Sequence, residues 1–198
     1  MSWPVTLTHG AVTLRPLELG DARAWRDVRI RNSAWLKPWD ATVPPGAPGR
    51  PATFKGLVRR LSKLAREDLA MPFALLVDGE FAGQVTVNNI VRGSAQFASI
   101  GYWIDQRFAG RGIMPLAVAM AIDHCFFLSG LHRIEVAIRP ENVNSLRVVE
   151  KLGIKECGLA PRYLHIDGDW RDHKLFGITV EECPGGLTRR VAPDVAPR

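Results

Sequence analysis

The stretch from Gln96 to Ser129, QFASIGYWIDQRFAGRGIMPLAVAMAIDHCFFLS, constrains the fold more than any other part of the chain. Phe97 to Ile104 is rich in β-branched and aromatic residues and reads as a strand. Gly110 and Gly112 then break the pattern, after which Leu116, Ala117, Met120, Ala121, His124, Phe127 and Leu128 recur at helical spacing. A strand feeding a glycine turn that opens a helix gathers free backbone N–H groups at the positive end of the helix dipole, which suits phosphate. The glycines let a ligand approach the backbone, and Arg107 and Arg111 add positive charge beside it. The spacing fits neither the Walker nor the Rossmann glycine pattern.

A chain of 198 residues suits one domain, expected over residues 1–182 with a loose tail over 183–198. No apolar run reaches the roughly eighteen residues of a membrane span, and MSWPVTLTHG lacks a signal-peptide core, so a cytoplasmic protein without membrane contact is expected. A net charge of +6 favours anionic partners, but the arginines are scattered and form no nucleic-acid motif. Cys125, Cys157 and Cys183 make neither a zinc pattern nor a disulfide framework, and Cys125 and Cys157 are expected as buried thiols. No His, Asp or Glu set has metal-ligand spacing, so no metal is expected.

Val12 to Leu17 reads as a first strand, followed by a helix capped by Asp21 with Ala22, Trp25, Val28, Arg29 and Asn32 beyond it. Ser33 to Trp39 is an aromatic segment, and Thr42 to Pro51 is a Pro- and Gly-rich surface loop that can act as a flap. A helix is expected from Ala52 to Asp68, stopped by Pro72. Phe73–Val77 and Phe81–Ile90 form a hairpin across Asp78-Gly79. His132 to Arg139 alternates cleanly, with Ile134, Val136 and Ile138 on one face and Glu135 on the other. Asn142 to Leu152 is a short helix ended by Gly153, and Arg162–Ile166 and Trp170–Thr179 form a last hairpin. The expected architecture is a mixed α/β sheet with helices on both faces.

Arg107-Phe-Ala-Gly110-Arg-Gly112 resembles the acyl-CoA pyrophosphate loop of the GNAT acetyltransferases. Asn32-Ser-Ala-Trp-Leu36, Ile100-Gly-Tyr-Trp-Ile104, Leu131-His-Arg-Ile134, Asn142-Val-Asn-Ser145 and Asp167-Gly-Asp-Trp-Arg-Asp172 extend the resemblance from Val12 to about Val180, within the RimJ/RimL type and on the RimJ side. The resemblance implies the GNAT fold, a mostly antiparallel sheet with one splayed parallel pair, and acetyl-CoA as cofactor. The splayed strands would be those ending near Ile104 and Arg139. It implies that Tyr102, Trp103 and Ile104 pair with the pantetheine arm and that the pyrophosphate sits on Arg107, Phe108, Ala109, Gly110, Arg111, Gly112 and Ile113. Asn142 would hold the arm, with simple N-capping as the alternative, and Ser145 would lie near the sulfur.

The implied activity is transfer of acetyl to the α-amino group of a protein N-terminus, such as a ribosomal protein beginning with Ala or Ser, by a monomer or homodimer. Alternatives are a small-amine acetyltransferase for an aminoglycoside or polyamine, and a non-catalytic acyl-CoA sensor or ribosome-assembly factor. Ser145 is expected as donor or positioner and Glu135 as the carboxylate that assists the amine, with His165 and Asp169 as other bases. Trp35, Trp39, Asn88, Tyr163 and Trp170 are expected to line the acceptor groove.

Overall fold

A computed structural model describes residues 3–49, 51 and 53–192. Eight strands form one sheet in the order β1-β2-β3-β4-β5-β6-β8-β7. They are β1 (Leu7–His9), β2 (Val12–Pro16), β3 (Met71–Val77), β4 (Glu80–Val91), β5 (Phe97–Ile104), β6 (Arg133–Ile138), β7 (Lys155–Ile166) and β8 (Asp169–Thr179). All neighbours run antiparallel except β5 and β6. The helices are α1 (Ala22–Arg31), α2 (Ser33–Leu36), α3 (Phe54–Arg66), α4 (Ile113–Phe127), α5 (Val143–Leu152) and α6 (Thr188–Val191). No described helix is long and apolar enough to cross a membrane.

The parallel pair decides where a ligand can enter. β5 and β6 are in register only at Phe97–Arg133, Ala98–Ile134 and Ser99–Glu135. Beyond Ser99, β5 stays on β4 as far as Ile104, and β6 stays on β8 as far as Ile138. Each strand is held from its outer side, so the two part and leave a slot between them. Asp105 N–H bonds back to the Ala82 carbonyl of β4, 2.7 Å away. Because strand residues alternate their backbone direction, Trp103 also faces β4, whereas Tyr102 and Ile104 turn their N–H and C=O groups toward the slot.

The sheet is covered on both faces. On one side α4 packs into a core with Leu14, Phe73, Leu75, Val85, Val87 and Ile134, all with 0% exposure. On the other, Val28 of α1 and Val58 of α3 meet Leu17, Ala74 and Phe81. The α4 pattern read from sequence as one apolar stripe is buried almost all round, while Phe127 and Leu128 at its end are exposed.

Several expected boundaries move. Pro72 does not stop α3, which ends at Arg66; it lies in β3 opposite Thr86, where only its carbonyl is needed, by Leu17 N–H at 2.9 Å. The start expected for α3, Ala52, falls outside the described residues. Asp21 does not cap α1 with its side chain; it takes the Glu18 N–H at 2.8 Å and Arg15 at 2.5 Å. The hairpin turn at Asp78-Gly79 has φ of 49° and 80°, as a two-residue primed turn requires. The Pro-rich loop is tied at its start to the last hairpin, with Thr42 N–H on the His165 carbonyl at 2.8 Å and Asp167 N–H on the Asp40 carbonyl at 3.0 Å.

The segment after Cys183, expected to be loose, packs as far as α6. Leu187 is fully buried, and the N–H groups of Leu187 and Thr188 bond to the Asp123 carboxylate of α4 at 2.6 and 2.9 Å. Residues 193–198 of that expected tail fall outside the described residues. Cys157 also departs from expectation, being exposed on β7 beside Arg133. Burial pushes the Cys125 thiol up to about 12 and the Cys183 thiol up to about 11. A thiol reagent should therefore modify one cysteine in the native protein and three after denaturation. Rapid native labelling of a second thiol would contradict this packing.

Candidate active site

Two adjoining cavities occupy the slot and its mouth. The larger, about 430 Å³, lies between the end of β5, the turn that opens α4 and one face of α5. The smaller, about 230 Å³, is the slot itself, walled by Ile100, Gly101 and Tyr102 of β5 and by Val136, Ala137 and Ile138 of β6. Trp39, Tyr102, Asn142 and Ser145 line both and form the partition between them.

The turn has a backbone geometry that suits an anion. Gly112 is the N-cap of α4 with φ of 78° and Gly110 has φ of 75°, conformations that glycine adopts without a Cβ penalty. A Cβ at either glycine would meet nothing within 4 Å, so the free N–H groups of the first helical turn face open space. Phe108, Ala109, Gly110, Gly112 and Ile113 line this cavity. Arg107 and Arg111 do not. Arg107 is paired with Glu80 and, at 3.0 Å, with Asp105, and both guanidinium groups sit over the Phe108 ring. The cations that do line the cavity are Arg147 and Lys151, one turn apart on α5 with Asn144 and Val148. The sequence reading missed them, although their four-residue spacing beside Ser145 was available as a signal.

Asn142 caps α5 by accepting the Ser145 N–H at 3.1 Å, which leaves its amide nitrogen for the partition. Tyr102 donates to the Ser145 carbonyl at 3.4 Å, and burial pushes its phenol pKa upward, so it stays protonated and acts as a donor. Trp103 lines the larger cavity, and its ring packs among Trp25, Phe81 and Arg29. Trp35 also lines the larger cavity and donates its indole N–H to the Ile104 carbonyl at 3.1 Å, so that strand acceptor is taken. Trp39, stacked under Arg139, is the expected acceptor aromatic that reaches the smaller cavity.

Other expected residues stand elsewhere. Glu135 lies in the closed part of the strand pair, opposite Ser99, bonded to Arg133 at 2.7 Å, and lines neither cavity. Alternation gave its face of the sheet correctly; the ion pair and its distance from the slot depend on register. Asn88 donates to the Thr86 carbonyl, Tyr163 is half exposed against the His173 ring, and Trp170 is exposed beside His165; none lines a cavity. His165 is bonded to Thr42 at 2.7 Å and Asp169 to the Trp170 N–H, both at the hairpin tip.

The larger cavity, with the end of β5, the glycine turn and the paired cations on its walls, fits a long, amide-rich, polyphosphate ligand. The family model for the acetyltransferase (GNAT) domain matches residues 11–155. This chain is a GNAT acetyltransferase. It is 32% identical over 186 residues to the [ribosomal protein uS5]-alanine N-acetyltransferase of Escherichia coli, covering 92% of this chain and 94% of that one. It is 41% identical to the probable N-acetyltransferase YjcK of Bacillus subtilis over 101 residues, 51% of this chain and 56% of that one. The solved structure of Mycobacterium smegmatis RimJ in complex with CoA-disulfide superposes with a TM-score of 0.89 at 38% identity, covering 96% and 94% of the two chains. The acetyltransferase is thus an acetyl-CoA-dependent enzyme of RimJ type, and its mixed sheet with one parallel pair is the GNAT fold.

Proposed function

We propose that this acetyltransferase modifies the α-amino group of a protein N-terminus, a cytoplasmic ribosomal protein beginning with Ala or Ser being the first candidate. One observation carries the choice of amine. The smaller cavity is lined by Arg139 and His173 and by no carboxylate among the described residues. A polyamine or aminoglycoside brings several positive charges and needs acidic walls, whereas a peptide end brings one amine and a neutral backbone. The related E. coli enzyme, named for a ribosomal alanine, supports the same acceptor class.

Acetyl-CoA supplies the thioester, an activated acetyl carbon with a thiol leaving group. The N–H groups at Gly110, Gly112 and Ile113 would hold its pyrophosphate, and Arg147 and Lys151 further phosphate charge. The backbone of Tyr102 and Ile104 faces the slot, and the Ile104 N–H would stabilise charge on the acetyl oxygen. Ser145, on the partition, would protonate the departing sulfur. The acceptor would enter through the smaller cavity between Gly101 and Ala137, whose small side chains leave room for an extended chain. An α-amino group has a pKa of about 7.7–8.0 against about 10.4 for lysine, so it reaches its neutral, nucleophilic form far more readily at pH 7.

Thiol release with short peptides beginning Ala, Ser and Met, the same peptides blocked at the N-terminus with free lysine, and an aminoglycoside and a polyamine tests this directly. Turnover confined to free N-termini is expected; turnover confined to the small polyamines would overturn the reading. Ala137→Phe, which fills the slot, should lower kcat/KM for the acceptor by about tenfold or more while the CoA Kd moves less than about threefold. Equal acceptor kinetics in this variant would place the acceptor on another route.

A further inference from the structure

With Glu135 held by Arg133, the site as described has no group to take the proton that the amine must lose. Among the described residues lining either cavity, Asp40 carries the one carboxylate, and it is paired with Arg29 at 2.5 Å. His173 lies on β8, 3% exposed, in the wall of the smaller cavity. Its Nδ1 is 2.9 Å from the Arg171 carbonyl oxygen, an acceptor only, so Nδ1 carries the hydrogen. Nε2 then holds the ring's lone pair. The Tyr163 ring meets the imidazole edge-on at 6.0 Å from β7.

We infer that Nε2 of His173 accepts the proton from the attacking amine. As the new N–C bond forms and the C–S bond breaks, the nitrogen gives one proton to Nε2. The sulfur leaves with the electron pair and takes a proton from the Ser145 hydroxyl, which regains one from solvent as His173 releases its own. No oxidant or further reactant is needed. The ring also starts in the right state. Burial lowers the His173 pKa, and Arg139 lowers it further, against opposing effects of the Arg171 carbonyl, Glu141 and Asp172. It is therefore neutral at pH 7 and able to accept. The inference rests on the acceptor entering the smaller cavity, and not on which amine enters.

His173→Gln is expected to lower kcat by about 100-fold, the lower end for a lost general base because an α-amine needs modest help. CoA affinity by calorimetry should be unchanged. The wild-type kcat profile should fall on the acid side with an apparent pKa below the ordinary histidine value of about 6.5, and the variant should lack that limb. Added imidazole should restore part of the activity of His173→Ala, a response that loss of packing would not give. Ala137→Phe separates the two levels of argument. If it blocks the acceptor while His173→Gln stays within about threefold of wild type, the route stands and the base assignment falls. If neither matters, the route itself is wrong. Should both His173 variants fail to fold, long-range ¹H–¹⁵N NMR of the wild-type imidazole decides: an Nδ1–H tautomer titrating below about 6.5 supports the inference, and an Nε2–H tautomer overturns it.

Discussion

Valine in place of Gly112 is expected to weaken CoA binding by about 100-fold or more without unfolding the protein. Gly112 has φ of 78°, where a β-branched residue is strained by about 1–2 kcal/mol, and it forms the cap of α4. A Cβ there meets no protein atom within 4 Å, so nothing in the core is displaced. The side chain instead projects over the N–H groups expected to hold pyrophosphate. Losing two charge-assisted hydrogen bonds, at about 1.5–3 kcal/mol each, removes about 3 kcal/mol or more, which is about 100-fold in Kd. Calorimetric titration with CoA, alongside a urea unfolding curve, measures both halves of the claim. A folded variant whose Kd stays within about tenfold of wild type would detach the pyrophosphate from this turn.

A large loss of stability is expected from Asp105→Asn. Asp105 is 1% exposed and collects hydrogen bonds from Arg31 at 2.5 and 3.1 Å, Asn32 at 2.9 Å, and the Arg107 N–H and Nε at 3.2 and 3.0 Å. Asn32 in turn accepts the Gln106 N–H at 2.9 Å, so the cluster clasps α1 to the segment that leads into the glycine turn. Burial alone would raise the carboxyl pKa, but the bonds from Arg31, Asn32 and Arg107 outweigh it and hold the group at about 2. Breaking a buried pair costs about 3–5 kcal/mol; both arginines reach solvent, so the lower end, about 3 kcal/mol, applies. For a chain of this size that is a fall of about 6–12 °C in Tm. The sign with pH follows from the depressed pKa. The contribution is complete above the unfolded value of about 3.9 and is lost as pH falls from there toward 2. The gap between wild type and variant should be constant from about pH 8 to 5 and close below about pH 4. A gap that widens in acid would contradict the assignment.

Where sequence reading succeeded, the signal was local. The bounds of β5, the left-handed glycines and the capping of α5 by Asn142 each follow from residues within a few positions of one another. Pro72 misled because a proline both stops helices and begins strands, and the choice between them is made by β2 and β4, far away in sequence. The segment after Cys183 looked loose because the Asp123 carboxylate that holds the Leu187 and Thr188 N–H groups lies 64 and 65 residues earlier. Glu135 and His173 show the same limit at the site. Alternation assigns a side chain to a face, but only the three-pair register of β5 on β6, and of β7 on β8, decides which carboxylate is spent in an ion pair and which imidazole borders the slot. Arg147 and Lys151 are readable in principle as one face of α5, where Arg147 alone reads as one of the scattered arginines.

The brief contact between β5 and β6 also divides labour along the chain. On the proposed route, the strands up to Ile104 and the turn into α4 would serve the donor, whereas β6 and the hairpin of β7 and β8 would supply much of the wall that meets the amine. Since the two blocks share only three residue pairs across the sheet, side chains on the later block can change without shifting the backbone groups of the earlier one. On that route, substitutions in the last two strands would alter the choice of amine while leaving the donor's backbone contacts in place.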